Sequence, residues 1–199
     1  MKLRMQQGKS MLEMIGVLAV VGVLSVGGLK AFSLTMRQYK TNQAIEDYAF
    51  FINGILQNKE LIFKAHEYHI GQQLAYLGIV PDSWKVKSAT FYDREGREIF
   101  PYVPSSINIE YRLKKPSQSS TSKDDVLFCQ KLWTNILQPY ADVLYKVYLI
   151  INDKSNQYWG NNFCGKNKTC LSSLSIQQII SECILCFEAS QCYFNFTFR

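Results

Sequence analysis

No charged residue occurs between Met14 and Leu29. The segment around that run is about right for one membrane span, since near 20 apolar residues cross a bilayer core of about 30 Å. No proline lies between Ser10 and Lys64, so the strongest helix breaker is missing there and one long helix is expected from Ser10. There is no glycine-rich phosphate loop, no Ser/His/Asp set and no carboxylate pair at a telling spacing. No catalytic residue is therefore nominated, no cofactor is expected, and the chain is not read as an enzyme. The net charge is +6, but the basic residues are scattered; nucleic-acid binding has no footprint of the usual kind. Histidine is scarce: only His66 and His69 occur. A zinc site wants three or four ligands, no third is evident, and surface or capping roles are expected.

A short basic leader, Met1 to Gln7 with Lys2 and Arg4, comes first. Then follow Gly8-Lys9-Ser10-Met11-Leu12-Glu13 and the apolar run Met14 to Leu29. Glu13 stands at the mouth of that run, where a carboxylate is expensive and needs a reason. A secretory signal peptide would carry a small-x-small cleavage site after its apolar core. Here the polar motif precedes the core and no Ala-x-Ala site is evident after it. A plain signal anchor would not need Glu13. Lys2, Arg4 and Lys9 precede the run, which orients the N-terminus to the cytoplasm and the remainder to the far side.

This stretch resembles the N-terminus of type IV pilins and pseudopilins over about the first 45 residues. The resemblance implies cleavage between Gly8 and Lys9 by a prepilin peptidase, with methylation of the new Lys9 amine. The family usually begins its mature chain with Phe or Met; here the residue is Lys9. Glu13 takes the position of the acid that pairs with a neighbouring subunit's free amine during assembly. A buried charge of this kind acts best by fixing register. The partners implied are the peptidase, other copies of the chain or other pilins in a helical filament, the assembly platform with its ATPase, and the bacterial inner membrane.

The expected fold is α+β: a long N-terminal helix packed on an antiparallel sheet, with a disulfide-tied C-terminal region. The expected divisions are a leader over 1–8, a membrane or filament-core half over 9–30, an amphipathic half and its end over 31–78, and a globular domain over 79–199. Ile45, Tyr48, Ala49, Ile52, Ile55, Leu56, Ile62 and Phe63 follow helical 3-and-4 spacing. The helix should give way near Gly71 to Gly78, and Pro81 makes the stop firm. Gly27-Gly28 is its softest point.

Ala89–Tyr92 and Arg97–Phe100 read as a hairpin turning at Gly96. Ile107 to Leu113 alternates as a strand. Lys114 to Asp125 reads as a loop, with Asp124 or Asp125 capping a helix through Leu137 that Pro139 ends. Val143 to Ile151 is a central strand, Tyr158 to Thr169 a loop, Ser173 or Ser175 a helix start, and Tyr193 to Phe198 a final strand.

The six cysteines, Cys129, Cys164, Cys170, Cys183, Cys186 and Cys192, all follow the apolar run. An even count in an exported domain reads as three disulfides; six cysteines allow 15 pairings. Cys183-x-x-Cys186 lacks the βαβ context of a redox motif, and zinc fits an exported framework less well. The sequons at Asn167 and Asn195 are short and common, and a bacterial leader discounts both. The cysteine-bearing helix resembles larger type IVb pilins; the eight-residue leader resembles type IVa pilins and pseudopilins. The expected function is a structural filament subunit for adhesion, motility or uptake. A type II secretion pseudopilin and a membrane-anchored binding module that does not assemble are the alternatives.

Overall fold

The structure, a computed structural model, describes residues 11–65, 67–113 and 123–199. Helix α1 (Met11–Gln57) runs for 47 residues, about 70 Å at 1.5 Å per residue. It is helical through Gly27 and Gly28. The chain divides into two compact units between Lys40 and Thr41.

In the first unit every described side chain from Met14 to Lys40 is exposed. Its hydroxyls are satisfied locally, Ser25 Oγ donating to Val21 O at 2.7 Å and Thr35 Oγ1 to Ala31 O at 3.0 Å. Such back-bonding removes the need for water. In the second unit the same helix turns one stripe inward. Ala44, Ile45, Tyr48, Phe51, Ile52 and Ile55 are all buried.

The long helix stops earlier than its periodicity suggests. Asn58 leaves helical geometry at φ −106°, ψ 12°. Its side-chain amide donates to Gly54 O at 2.8 Å, a bond that competes with the helical ladder. Helix α2 (Lys59–Lys64) is a short continuation. Gly71, expected as a breaker, instead opens helix α3 (Gly71–Tyr76). A Cβ there would lie 2.3 Å from Ala89 O, so glycine serves a close approach rather than a stop.

Seven strands follow: β1 (Lys85–Lys87), β2 (Thr90–Tyr92), β3 (Glu98–Tyr102), β4 (Ile107–Arg112), β5 (Leu144–Ile151), β6 (Lys154–Trp159) and β7 (Cys192–Phe198). They form one sheet in the order β1-β2-β3-β4-β7-β5-β6. Every strand pairing is antiparallel. The last strand lies between β4 and β5, with Phe196 opposite both Ile109 and Val147. Its Phe194, Phe196 and Phe198 are buried.

Two strands escape the sequence reading. β1 is fully exposed, and β6 is exposed from Lys154 to Gln157, so neither carries an apolar period. β6 also takes Tyr158 and Trp159 out of the expected loop. A short 3-10 turn, Asn161–Phe163, follows it.

Helix α4 (Lys123–Leu132) passes into a π-helical turn, Trp133–Leu137, closed by Gln138 N–H donating to Trp133 O at 2.9 Å. Asp124 and Asp125 lie inside its first turn and not at its cap, because the helix begins at Lys123. Helix α5 (Ile176–Glu188) starts at Ser175, where Ser175 and Gln178 form a reciprocal capping box.

Candidate functional site

The apolar surface of the first unit is the first candidate. From Met14 the helix is long and apolar enough to cross a membrane, and none of its most apolar stretch is buried. Met14, Val23 and Leu29 expose 61%, 74% and 71% of their surfaces. A Cβ added at Gly16, Gly22, Gly27 or Gly28 would touch nothing in the chain. Glu13 lies in the first turns of α1, and its side chain is outside the described residues, as are Gly8 and Lys9. His66 is also outside them. His69 packs its ring on Tyr68 and Phe100, with centroids 4.8 and 5.2 Å apart. Among the described residues no group of three His, Cys, Asp or Glu side chains could hold a metal.

The second feature is a buried polar knot where α1 meets the sheet. The hairpin turn Asp93–Arg97 is set by its first residue: Asp93 Oδ1 accepts from the N–H groups of Glu95 and Arg97 at 2.9 and 2.8 Å. Gly96 supplies the left-handed conformation at φ 80°. The other oxygen, Oδ2, accepts from Tyr48 on α1 at 3.2 Å and from Tyr111 on β4 at 3.4 Å. Arg97 bridges Asp93 and Asp125, both at 3.2 Å, and its guanidinium lies 4.2 Å from the Phe128 ring centroid. All three charged residues are buried. The two phenols serve the buried Asp93 carboxylate as donors.

Burial first, then neighbouring groups including Asp93, pushes the Tyr48 and Tyr111 phenols well above the ordinary tyrosine value. Burial alone would lower the Arg97 guanidinium; Tyr111 and Asp93 reverse that and raise it. Aromatic packing completes the junction, with Tyr48 4.9 Å from Trp84 and 4.7 Å from Tyr111 between centroids. These groups fasten the helix to the sheet. The sequence reading placed Tyr48 and Tyr111 only as apolar-face positions and missed the charges. The local signal was Asp-x-x-Gly-Arg at the hairpin turn.

The third feature is the cysteine framework. Cys129–Cys183 joins α4 to α5, Cys164–Cys170 closes the loop after β6, and Cys186–Cys192 joins the end of α5 to β7. Cys183 and Cys186 therefore bond to different partners and form no dithiol. Of the two sequons, Asn195 sits within β7 and its amide donates to Tyr102 Oη at 2.6 Å, whereas Asn167 is exposed. No protein-family model, curated protein or solved structure matches the chain.

Proposed function

We propose that this chain is a pilin-like structural subunit, made as a membrane-anchored precursor and assembled into a filament. The observation that carries the reading is the uncharged helical surface from Met14 to Leu29, exposed at every described side chain and preceded in the sequence by Gly8-Lys9 and Glu13. A surface of that apolarity needs lipid or other helices around it. Assembly exchanges the one for the other, and small side chains at Gly16, Ala19, Gly22, Ser25 and Gly28 permit close helix approach. The head supports the reading by its architecture, a helix packed on an antiparallel sheet with three disulfides. Disulfides fit a domain on the oxidising side of the membrane, so the N-terminus would face the cytoplasm.

In this reading the prepilin peptidase cuts after Gly8, and Lys9 becomes the methylated amino terminus. Glu13 meets the amine of a neighbouring subunit, and the head forms the outer, partner-binding surface. Intact-mass analysis of protein from a host with a prepilin peptidase tests the processing. The mass should equal a chain starting at Lys9, with or without one methyl group. An uncut chain, or a cut after Leu29, contradicts the reading and favours an anchored or secreted module.

A further inference from the structure

The sheet ends at β6, and its edge there stands open. Trp159 N–H points off the edge and donates to Thr169 O at 2.8 Å, whereas Gly160 N–H turns back to Tyr145 O at 3.1 Å. Antiparallel pairing alternates these directions residue by residue. β6 lies on β5 in unbroken register from Lys154 to Trp159. The main-chain N–H and C=O groups of Ser155 and Gln157 therefore also point off the edge. Neither N–H has a hydrogen-bond partner among the described residues, and Lys154 to Gln157 are all exposed. Such an edge is a template for an added strand. The chain at Thr169 and Cys170, bridged to Trp159, closes one end of it, so an added strand has the length Lys154 to Gln157 to pair with.

The same edge is one wall of a groove. An open cleft of about 540 Å³ lies between β6 and α5, lined in part by Ser155, Gln157, Leu174 and Glu182. A second cleft of about 440 Å³ meets it at Asn156 and is lined in part by Lys154, Leu185 and Glu188. Glu182 accepts from Tyr158 Oη at 2.8 Å and from the Asn156 amide at 3.2 Å. Both donors are neutral, and no lysine or arginine pairs with Glu182 among the described residues. Along the groove two carboxylates, Glu182 and Glu188, stand against the one ammonium of Lys154. The contacts of Glu182 place α5 on the face of β6 that carries Asn156 and Tyr158. Every second side chain of an added strand projects to that same face. A cationic side chain there meets Glu182, with Leu174 and Leu185 offering apolar contact beside it. Strand pairing would supply main-chain hydrogen bonds, and the groove would select among side chains.

We infer that the groove between β6 and α5 docks an extended basic segment of a partner protein, which adds a strand at Ser155 and Gln157 and sets a lysine or arginine against Glu182. This rests on the reading of the head as a partner-binding surface. The test uses the full chain in detergent micelles, titrated into a fluorescent hexapeptide of alternating lysine and valine. The comparators are the same peptide with glutamate in place of lysine, and the lysine peptide N-methylated at alternate residues. Saturable binding of the lysine peptide is expected. Glu182→Gln should weaken it about tenfold, the scale of one charge-assisted contact. Ser155→Pro removes only the N–H that points off the edge, a change edge strands tolerate, and should weaken binding about fivefold. Unchanged melting of both variants establishes that they fold, and the N-methylated peptide reads the same main-chain bonds on the wild-type chain. It and the glutamate peptide should each bind at least about fivefold more weakly. No saturable binding, equal binding of the N-methylated peptide, or equal binding of the glutamate peptide overturns the inference. Dimers of the unliganded chain that Ser155→Pro abolishes also overturn it, since a second copy would then cover the edge. The assay reads unassembled protein, so its failure leaves the cleavage and assembly of the chain to their own tests.

Discussion

At the scale of single residues, the fold turns on Asp93. One carboxylate sets the β2–β3 turn, receives phenols from α1 and β4, and anchors Arg97. Charges buried in this way are strongly coupled to their partners, and removing one partner typically costs about 3–5 kcal/mol. The phenols give a pH test. Tyr48 and Tyr111 hold their protons above their ordinary value, whereas an unfolded tyrosine loses its proton near pH 10. Above about pH 10 the unfolded chain therefore binds fewer protons than the folded one. The stabilisation is complete below that pH and is lost as pH rises through the folded values, at about 1.4 kcal/mol per unit per phenol. Urea unfolding at pH 8 and pH 11 should show a steep loss in the wild type. Tyr48→Phe, less stable at pH 8 by about 1 kcal/mol for the lost hydrogen bond, should lose about 1.4 kcal/mol less on going to pH 11. Equal losses would mean that Tyr48 titrates normally in the folded protein.

At the scale of elements, the strongly periodic segments were legible. The apolar stripe on α1, the hairpin at Gly96, the alternation of β4 and the aromatic strand β7 all follow from side-chain period. β6 did not, because Lys154-Ser155-Asn156-Gln157 is polar and exposed on the sheet edge. Its signal lay in the turn: Asn152 and Asp153 both take positive φ, 46° and 67°, as a two-residue hairpin requires. The break at Asn58 was illegible for a related reason, since asparagine is tolerated in helices until its side chain finds a backbone partner. The cysteine count was legible and the pairing was not, because two of the three bonds close short loops while the third spans 54 residues. That difference has a consequence. Loop-entropy estimates assign about 4 kcal/mol to Cys129–Cys183 and about 2 kcal/mol to each short loop. Replacing Cys129 and Cys183 together by serine should lower the unfolding free energy more than either other double replacement. A larger loss from Cys164 and Cys170 would contradict this ranking.

At the scale of the whole molecule, the sequence divides where the chemistry changes, and the structure separates its units between Lys40 and Thr41. What residue patterns could not supply was the place of β7. Its pairing with β4 and β5 joins residues far apart in the chain, and non-local order is not written in local period. The α+β architecture itself was legible, as was the apolar helix that precedes it. The proposed assembly role rests on Glu13, at the mouth of a run without charge. Glu13→Ala should leave cleavage after Gly8 intact, since the cut precedes it. Membrane insertion should also survive, because the span becomes more apolar. Assembly should fail, with a loss of roughly 3–5 kcal/mol at a buried charge pair that has lost one partner. Glu13→Gln should be nearly as harmful. The measurement is co-expression of tagged mutant and wild-type subunits in a host with pilus assembly machinery, followed by assay of both in sheared surface fibres. Wild-type subunits should fill the fibres and Glu13→Ala subunits should be nearly absent from them; equal incorporation of the two would contradict the register role of Glu13.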